Sequence, residues 1–159
     1  MQSSYNITTM KALNKYINTK FKSEQVGPVN PVSLNKYNTF IIIKPGFTKR
    51  PNDILDRFTS KGYTVARCLA RRLPLEVAKD LYKVHKDEDF YDDLCKYMSS
   101  GLSIGYVLNC PAKDPIKTTD KIKKEIRTEL AKDEMRNALH SSDSMENVWR
   151  ESKIYFDGK

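Results

Sequence analysis

Histidine occurs only twice in the 159 residues, as His85 and His140, and cysteine three times, as Cys68, Cys95 and Cys110. No two cysteines stand in a Cys-x-x-Cys spacing, so with these histidines no zinc constellation can be assembled. An odd number of cysteines in apolar surroundings argues for reduced thiols, and hence for a reducing compartment. Long apolar runs are also missing. The longest, Phe40-Ile41-Ile42-Ile43, falls far short of the roughly 20 residues that span a bilayer and reads as a buried strand. The first residues lack a continuous apolar segment, so a secretory leader is not expected. Three familiar loop motifs are absent: a Gly-rich loop followed by Lys-Ser/Thr, a Rossmann glycine fingerprint, and a Gly-x-Ser-x-Gly elbow.

What is present fits a soluble globular chain, with 39% hydrophobic and 30% charged residues, long enough for one compact domain. A net charge of +8 favours anionic partners such as nucleotides, polyphosphates, nucleic acid or acidic membrane surface. The plain alternative is a solvated, lysine-rich surface.

Residues 1–36 differ from the remainder, being rich in Asn, Ser, Thr and Lys and approaching their end with Gly27-Pro28-Val29-Asn30-Pro31. Within them, 10–21 has Leu13, Tyr16, Ile17 and Phe21 at helical spacing, which suits a basic arm, a targeting segment or a flexible tail. From residue 37 to 159 the pattern alternates. A strand is expected over 39–43, a helix over 51–60 with Pro51 at a tolerated first position, and a strand over 63–73. Helices follow over 74–85 and 89–98, then a strand over 102–108 and a helix over 113–124. A short strand or turn over 137–140 precedes a helix over 144–155, capped by Ser142 or Ser144. This order predicts an α+β fold, a ferredoxin-like antiparallel sheet with its helices on one face. Because such a fold hosts many functions, the site must carry the functional argument.

Several residues suit phosphate chemistry. Lys44 stands just past the first strand, where Pro45-Gly46 turns the chain, and a lysine there aims a point charge at an anion. Arg127 and Arg136 offer planar forks that match phosphate oxygens. His140 is nucleophilic near neutral pH once one ring nitrogen is held, and Glu151, eleven residues on, can return beside the ring.

Taken together, four segments resemble the nucleoside diphosphate kinase family: Ile43-Lys44-Pro45; Lys96-Tyr97-Met98-Ser99-Ser100-Gly101; Ile126-Arg127; and Asn137-x-x-His140-x-Ser142-Asp143-Ser144. The resemblance runs from about Tyr37 to Phe156, and the last motif is its most specific part. It implies a ping-pong transfer of the γ-phosphate through a phosphohistidine on the δ nitrogen of His140, with Glu151 orienting the ring. It also implies that Lys44 and Tyr82 contact the transferring phosphate, that Phe90 stacks on the base, and that Leu94 lines the pocket. Arg127 would grip phosphate, and Asn137 the ribose and bridging oxygens, with Ser142 beside them. Mg²⁺ would bridge the nucleotide phosphates without protein ligands, and a homo-oligomer is implied.

The chain departs from the family pattern in ways that carry their own expectations. Ser141 replaces a glycine and adds a side chain where phosphate approaches. Glu134 stands where a small apolar residue faces the base. The 109–126 segment is short and lacks the loop that brings an arginine and a threonine to the phosphates. Lys117, Lys121, Lys123 or Lys124 are the candidates to substitute for them, with weaker binding expected because a lysine lacks the bidentate fork. Two alternatives to an active kinase stay open: a module that holds nucleotide or a protein partner without turnover, and a nucleic-acid binder using the basic surface. The cytoplasm is the default location, with targeting by residues 1–36 left open.

Overall fold

In the first strand, β1 (Asn38–Ile43), all six residues are buried. Its side chains alternate between two hydrophobic clusters, Ile41 and Ile43 in one, Phe40 and Ile42 in the other. A strand buried on both faces needs cover on both faces, and here the computed structural model, which describes residues 34–158, differs from the single helical layer expected. One face carries α1 (Pro51–Thr59) and α4 (Pro115–Leu130), through Ile54, Leu55, Phe58, Ile122 and Ile126. The other carries α2 (Leu75–Leu81), α3 (Tyr91–Ser99) and α5 (Met145–Asp157), through Leu81, Met98, Val148 and Tyr155. The helix expected over 10–21 lies outside the described residues.

The sheet is completed by β2 (Thr64–Arg71), β3 (Ser103–Asn109) and β4 (Leu139–Ser141), in the order β2-β3-β1-β4, with every neighbouring pair antiparallel. The strand pair β1 and β2 is split by β3, and the pair β3 and β4 is split by β1, which is the ferredoxin-like arrangement. Local chemistry sets the helix ends. Pro51 and Pro115 occupy first-turn positions, and the Asp114 carboxylate accepts from Lys117 N at 3.1 Å. The Ser144 hydroxyl accepts from Asn147 N at 3.1 Å, which assigns the α5 cap to Ser144 rather than Ser142.

Two elements run differently from expectation. The helix expected over 113–124 continues to Leu130, because Ile126 extends the apolar stripe of Ile122 onto the sheet. The helix expected over 74–85 stops at Leu81, and a single 3₁₀ turn, Lys83–His85, follows. Both differences matter, since Arg127 rides on the added turns and Tyr82 sits at the break.

Candidate active site

Strand pairing places the central histidine. Ile41, Ile42 and Ile43 of β1 lie opposite Ser141, His140 and Leu139 of β4. Alternation along so short a strand sends Leu139 and Ser141 to one face and His140 to the other. Ser141 is accordingly buried and does not line the cavity described below, which corrects the expectation that it crowds an approaching phosphate. Before the strand the backbone bends sharply. Ala138 has φ 77°, and Leu139 N donates to the Asn137 carbonyl at 3.0 Å, closing a γ-turn of the rarer, strained hand. Lys44 N donates to the Ala138 carbonyl at 2.9 Å, so the end of β1 holds this turn in place.

The His140 ring is gripped at one nitrogen. Its Nε2 forms a hydrogen bond with Oε1 of Glu151, which α5 presents on its buried face. Ser142 Oγ donates to the same oxygen at 3.2 Å. Held this way, Nε2 carries the proton and Nδ1 keeps its lone pair. The Tyr82 ring packs against the imidazole edge-to-face, with centroids 5.4 Å apart. Glu151 and Ser142 stand behind the ring, whereas His140 itself lines a cavity of about 1080 Å³.

That cavity collects Lys44, Tyr82, Phe90, Leu94, Arg127, Asn137 and His140, residues drawn from separate stretches of the chain. Lys44 is 4% exposed and donates from Nζ to the Met135 carbonyl at 3.3 Å. Burial, seconded by the positive charges of Arg127 and Lys123, holds its pKa down to about 7 against the opposing pull of Asp133. Arg127 uses Nε to hold the Leu139 carbonyl at 2.9 Å, which orients its guanidinium on the cavity wall. Tyr82 Oη and Asn137 Oδ1 are buried polar atoms with no hydrogen-bond partner. Burial, then the Glu151 carboxylate, pushes the Tyr82 phenol above the tyrosine range, so it remains a donor. Unsatisfied buried groups that face a cavity are costly unless a ligand completes them. Phe90 is 43% exposed beside His85, with ring centroids 5.4 Å apart, while Leu94 is buried behind it. An exposed aromatic at the mouth and cations at the floor suit a ligand with a flat ring at one end and phosphates at the other.

The cations that line the cavity include Arg136, singled out by its planar fork, but not the lysines of α4. None of Lys117, Lys121, Lys123 and Lys124 lines the cavity, and Lys123 and Lys124 pair with Asp120 at 3.0 and 2.9 Å. The helical stripe that buries Ile122 and Ile126 turns those lysines elsewhere. Lys132 and Arg136 line the cavity instead, from the 131–138 loop after α4, and Glu134 lines it as well. Lys132 and Asp133, which also line the cavity, stand in none of the motifs, and Tyr97 stands in one without a role. Of these only Asp133 left a local signal, its spacing to Arg136 in a turn-forming segment.

A histidine with one nitrogen fixed and the other open, flanked by a lysine, an arginine and two unsatisfied polar groups, is equipped to accept a phosphoryl group. The family model for nucleoside diphosphate kinase matches residues 37–159. The chain belongs to that family. Similar members include the nucleoside diphosphate kinase of Fervidobacterium nodosum, 35% identical over 74% of this chain and 87% of the relative. That of Ignicoccus hospitalis is 35% identical over 74% of this chain and 86% of the relative. Among solved structures, the Aquifex aeolicus nucleoside diphosphate kinase aligns with TM-score 0.68 at 32% identity, covering 76% of this chain and 95% of that one. The family fold therefore accounts for nearly all the described residues. No helix among them is long and apolar enough to cross a membrane.

Proposed function

We propose that the protein transfers the γ-phosphate of a nucleoside triphosphate to a nucleoside diphosphate in two half-reactions at one cavity, through phosphorylated His140. The observation that carries this reading is the Glu151–His140 pair, which occupies Nε2 and leaves Nδ1 outside that bond, in a ring that lines the same cavity as Lys44 and Arg127. In the first half-reaction the Nδ1 lone pair attacks the γ-phosphorus. The N–P bond forms as the bond from phosphorus to the β,γ-bridging oxygen breaks, and the nucleoside diphosphate departs with those electrons. In the second, a terminal oxygen of another diphosphate attacks the same phosphorus, the N–P bond breaks, and Nδ1 recovers its lone pair. The proton on Nε2 stays between the ring and Glu151 throughout, so no proton need leave the site.

Positioning and charge neutralisation supply the catalysis. Lys44 and Arg127 meet the oxygens of the transferring group, and the Tyr82 hydroxyl donates to one of them. Asn137 Oδ1, an unfilled acceptor, suits a ribose hydroxyl. Phe90 stacks on the base, a contact tolerant of base identity because every base has a π-face. The cavity lining offers cationic donors that fit phosphate oxygens, and an imidazole whose Nδ1 lone pair can meet phosphorus. Mg²⁺ would be held by the nucleotide's own phosphates, where it adds further charge neutralisation.

The test is direct. Protein incubated with γ-labelled ATP and Mg²⁺ should acquire an acid-labile, base-stable label that a nucleoside diphosphate removes, and His140→Asn should acquire none. Label missing from the wild type, or undiminished in His140→Asn, overturns the reading and leaves a nucleotide-holding module.

A further inference from the structure

The 131–138 loop between α4 and β4 is organised around one side chain. Asp133 Oδ1 accepts from Met135 N at 2.9 Å and from Arg136 N at 2.6 Å, and Oδ2 accepts from Arg136 Nε at 2.6 Å. Lys132 N donates to the Arg136 carbonyl at 2.8 Å and closes the loop on itself. Two carbonyls of this loop then hold side chains of the site. That of Met135 accepts from Lys44 Nζ at 3.3 Å, and that of Glu134 accepts from Asn137 Nδ2 at 2.6 Å. The second bond directs the Asn137 amide so that Oδ1 is the atom left without a partner.

We propose that Asp133 is a positioning residue for phosphoryl transfer: its carboxylate shapes the loop whose carbonyls aim Lys44 and Asn137 into the cavity, and its charge supports the Lys44 ammonium. The inference rests on the function proposed above. A loop of so few residues with no secondary structure has little else to set its shape, because the Asp133 carboxylate alone satisfies three of its donors. Removing one partner leaves the other backbone groups to be met by water and lets both carbonyls swing. The charged groups that act on Lys44 are Arg127 and Lys123 from α4, which repel it, and Asp133 from the loop, which attracts it. The same cavity is lined by Tyr82 and His85 after α2, Asp93, Lys96 and Tyr97 of α3, Lys132, Glu134 and Arg136 of the loop, and His140 on β4. Asp133 is thus the carboxylate that offsets two nearby cations. A purely structural turn residue would affect folding without shifting the protonation of Lys44.

The experiment compares wild type, Asp133→Ala, Asp133→Asn and a surface control, Glu129→Ala, as full chains. Readouts are phosphohistidine formation, kcat, KM, and the pH dependence of kcat/KM, each normalised to folded protein by circular dichroism. Glu129 pairs with Arg57 on the exposed surface, so its variant should match the wild type. Asp133→Ala should lower kcat/KM by about tenfold, the worth of one lost charge-assisted bond. It should also move the basic limb of the kcat/KM profile to lower pH, because Lys44 then loses its proton more easily. Asp133→Asn keeps an acceptor for the two backbone donors, so it should retain most of the activity while still moving the limb. An Asp133→Ala enzyme with wild-type kcat/KM and an unmoved limb overturns the proposal. If that variant does not fold, an unmoved limb in Asp133→Asn overturns it alone. Failure of the wild type to label defeats the proposed function instead, so the two failures are distinguishable.

Discussion

Replacing Glu151 by glutamine separates orientation of the histidine from binding of the nucleotide. Glu151 is 4% exposed and lies behind the ring, where Oε1 takes hydrogen bonds from both His140 Nε2 and Ser142 Oγ. The glutamine side chain has nearly the same shape, and its amide oxygen can accept both bonds, so the ring should stay in place. What is lost is the carboxylate charge beside an imidazole that gains positive character as Nδ1 attacks phosphorus. A hydrogen bond to a charged group contributes about 1.5–3 kcal/mol and a neutral one about 0.5–1.5. The difference, roughly 1–1.5 kcal/mol, corresponds to about five- to twelvefold slower phosphorylation of His140. Nucleotide affinity should change by less than about twofold, because Glu151 does not line the cavity. Rapid-quench measurement with γ-labelled ATP resolves the two quantities: the limiting burst rate reports transfer, and its concentration dependence reports binding. Equal losses in rate and affinity would refute the reasoning, as would an unchanged burst rate.

The buried ammonium of Lys44 sets two further expectations. Its charged form is the one proposed to meet phosphate, and its pKa is depressed from 10.5 to about 7, so kcat/KM should fall as pH rises above about 7. Lys44→Met should flatten that limb and reduce kcat/KM by on the order of a hundredfold, the scale for removing one donor to transition-state charge. The folded chain also binds fewer protons at Lys44 than the unfolded chain between pH about 7 and 10.5, so this group makes stability rise with pH across that window. Urea unfolding at pH 6 and pH 9 should show this rise lost in Lys44→Met, with the variant more stable than the wild type at pH 6 by roughly 1–3 kcal/mol. A variant less stable at pH 6 would refute the account. In the core, a Cβ added at Gly105 of β3 would overlap the Tyr155 ring, which is held by Ser103 Oγ at 3.0 Å and the Leu69 carbonyl at 3.1 Å. Gly105→Ala should therefore destabilise the protein by about 1–3 kcal/mol in urea unfolding. Loss of less than about 0.5 kcal/mol would show that the ring moves aside.

Much of this protein was legible in its sequence, because the signals that set helices and strands act between near neighbours. The run Phe40 to Ile43 announced a strand buried on both sides, Pro51 marked a helix start, and the Ser144 hydroxyl caps the helix that follows it. The extent of α4 was not legible. Beyond Lys124 its exposed face is polar and its stripe thin, and what carries it on to Leu130 is the burial of Ile126 against the sheet, a long-range contact. The identities of the site residues were written in the motif around His140, and Lys44, Tyr82, Arg127 and Asn137 do meet it at one cavity. Their geometry was decided elsewhere. Only the register of β4 on β1 turns His140 toward the cavity and Ser141 away from it, a difference of one residue that flips every side chain. Only the packing of α5 brings Glu151 to Nε2 and so leaves Nδ1 as the nitrogen proposed to react. The cations on the cavity wall were likewise decided in three dimensions: the α4 lysines do not line it, and Lys132 and Arg136 do, from the loop in which Asp133 holds Arg136. Sequence determined which chemical groups are available, since that is a property of residues. Tertiary structure decided which nitrogen Glu151 holds and which cations line the cavity, since those depend on contacts between residues far apart in the chain.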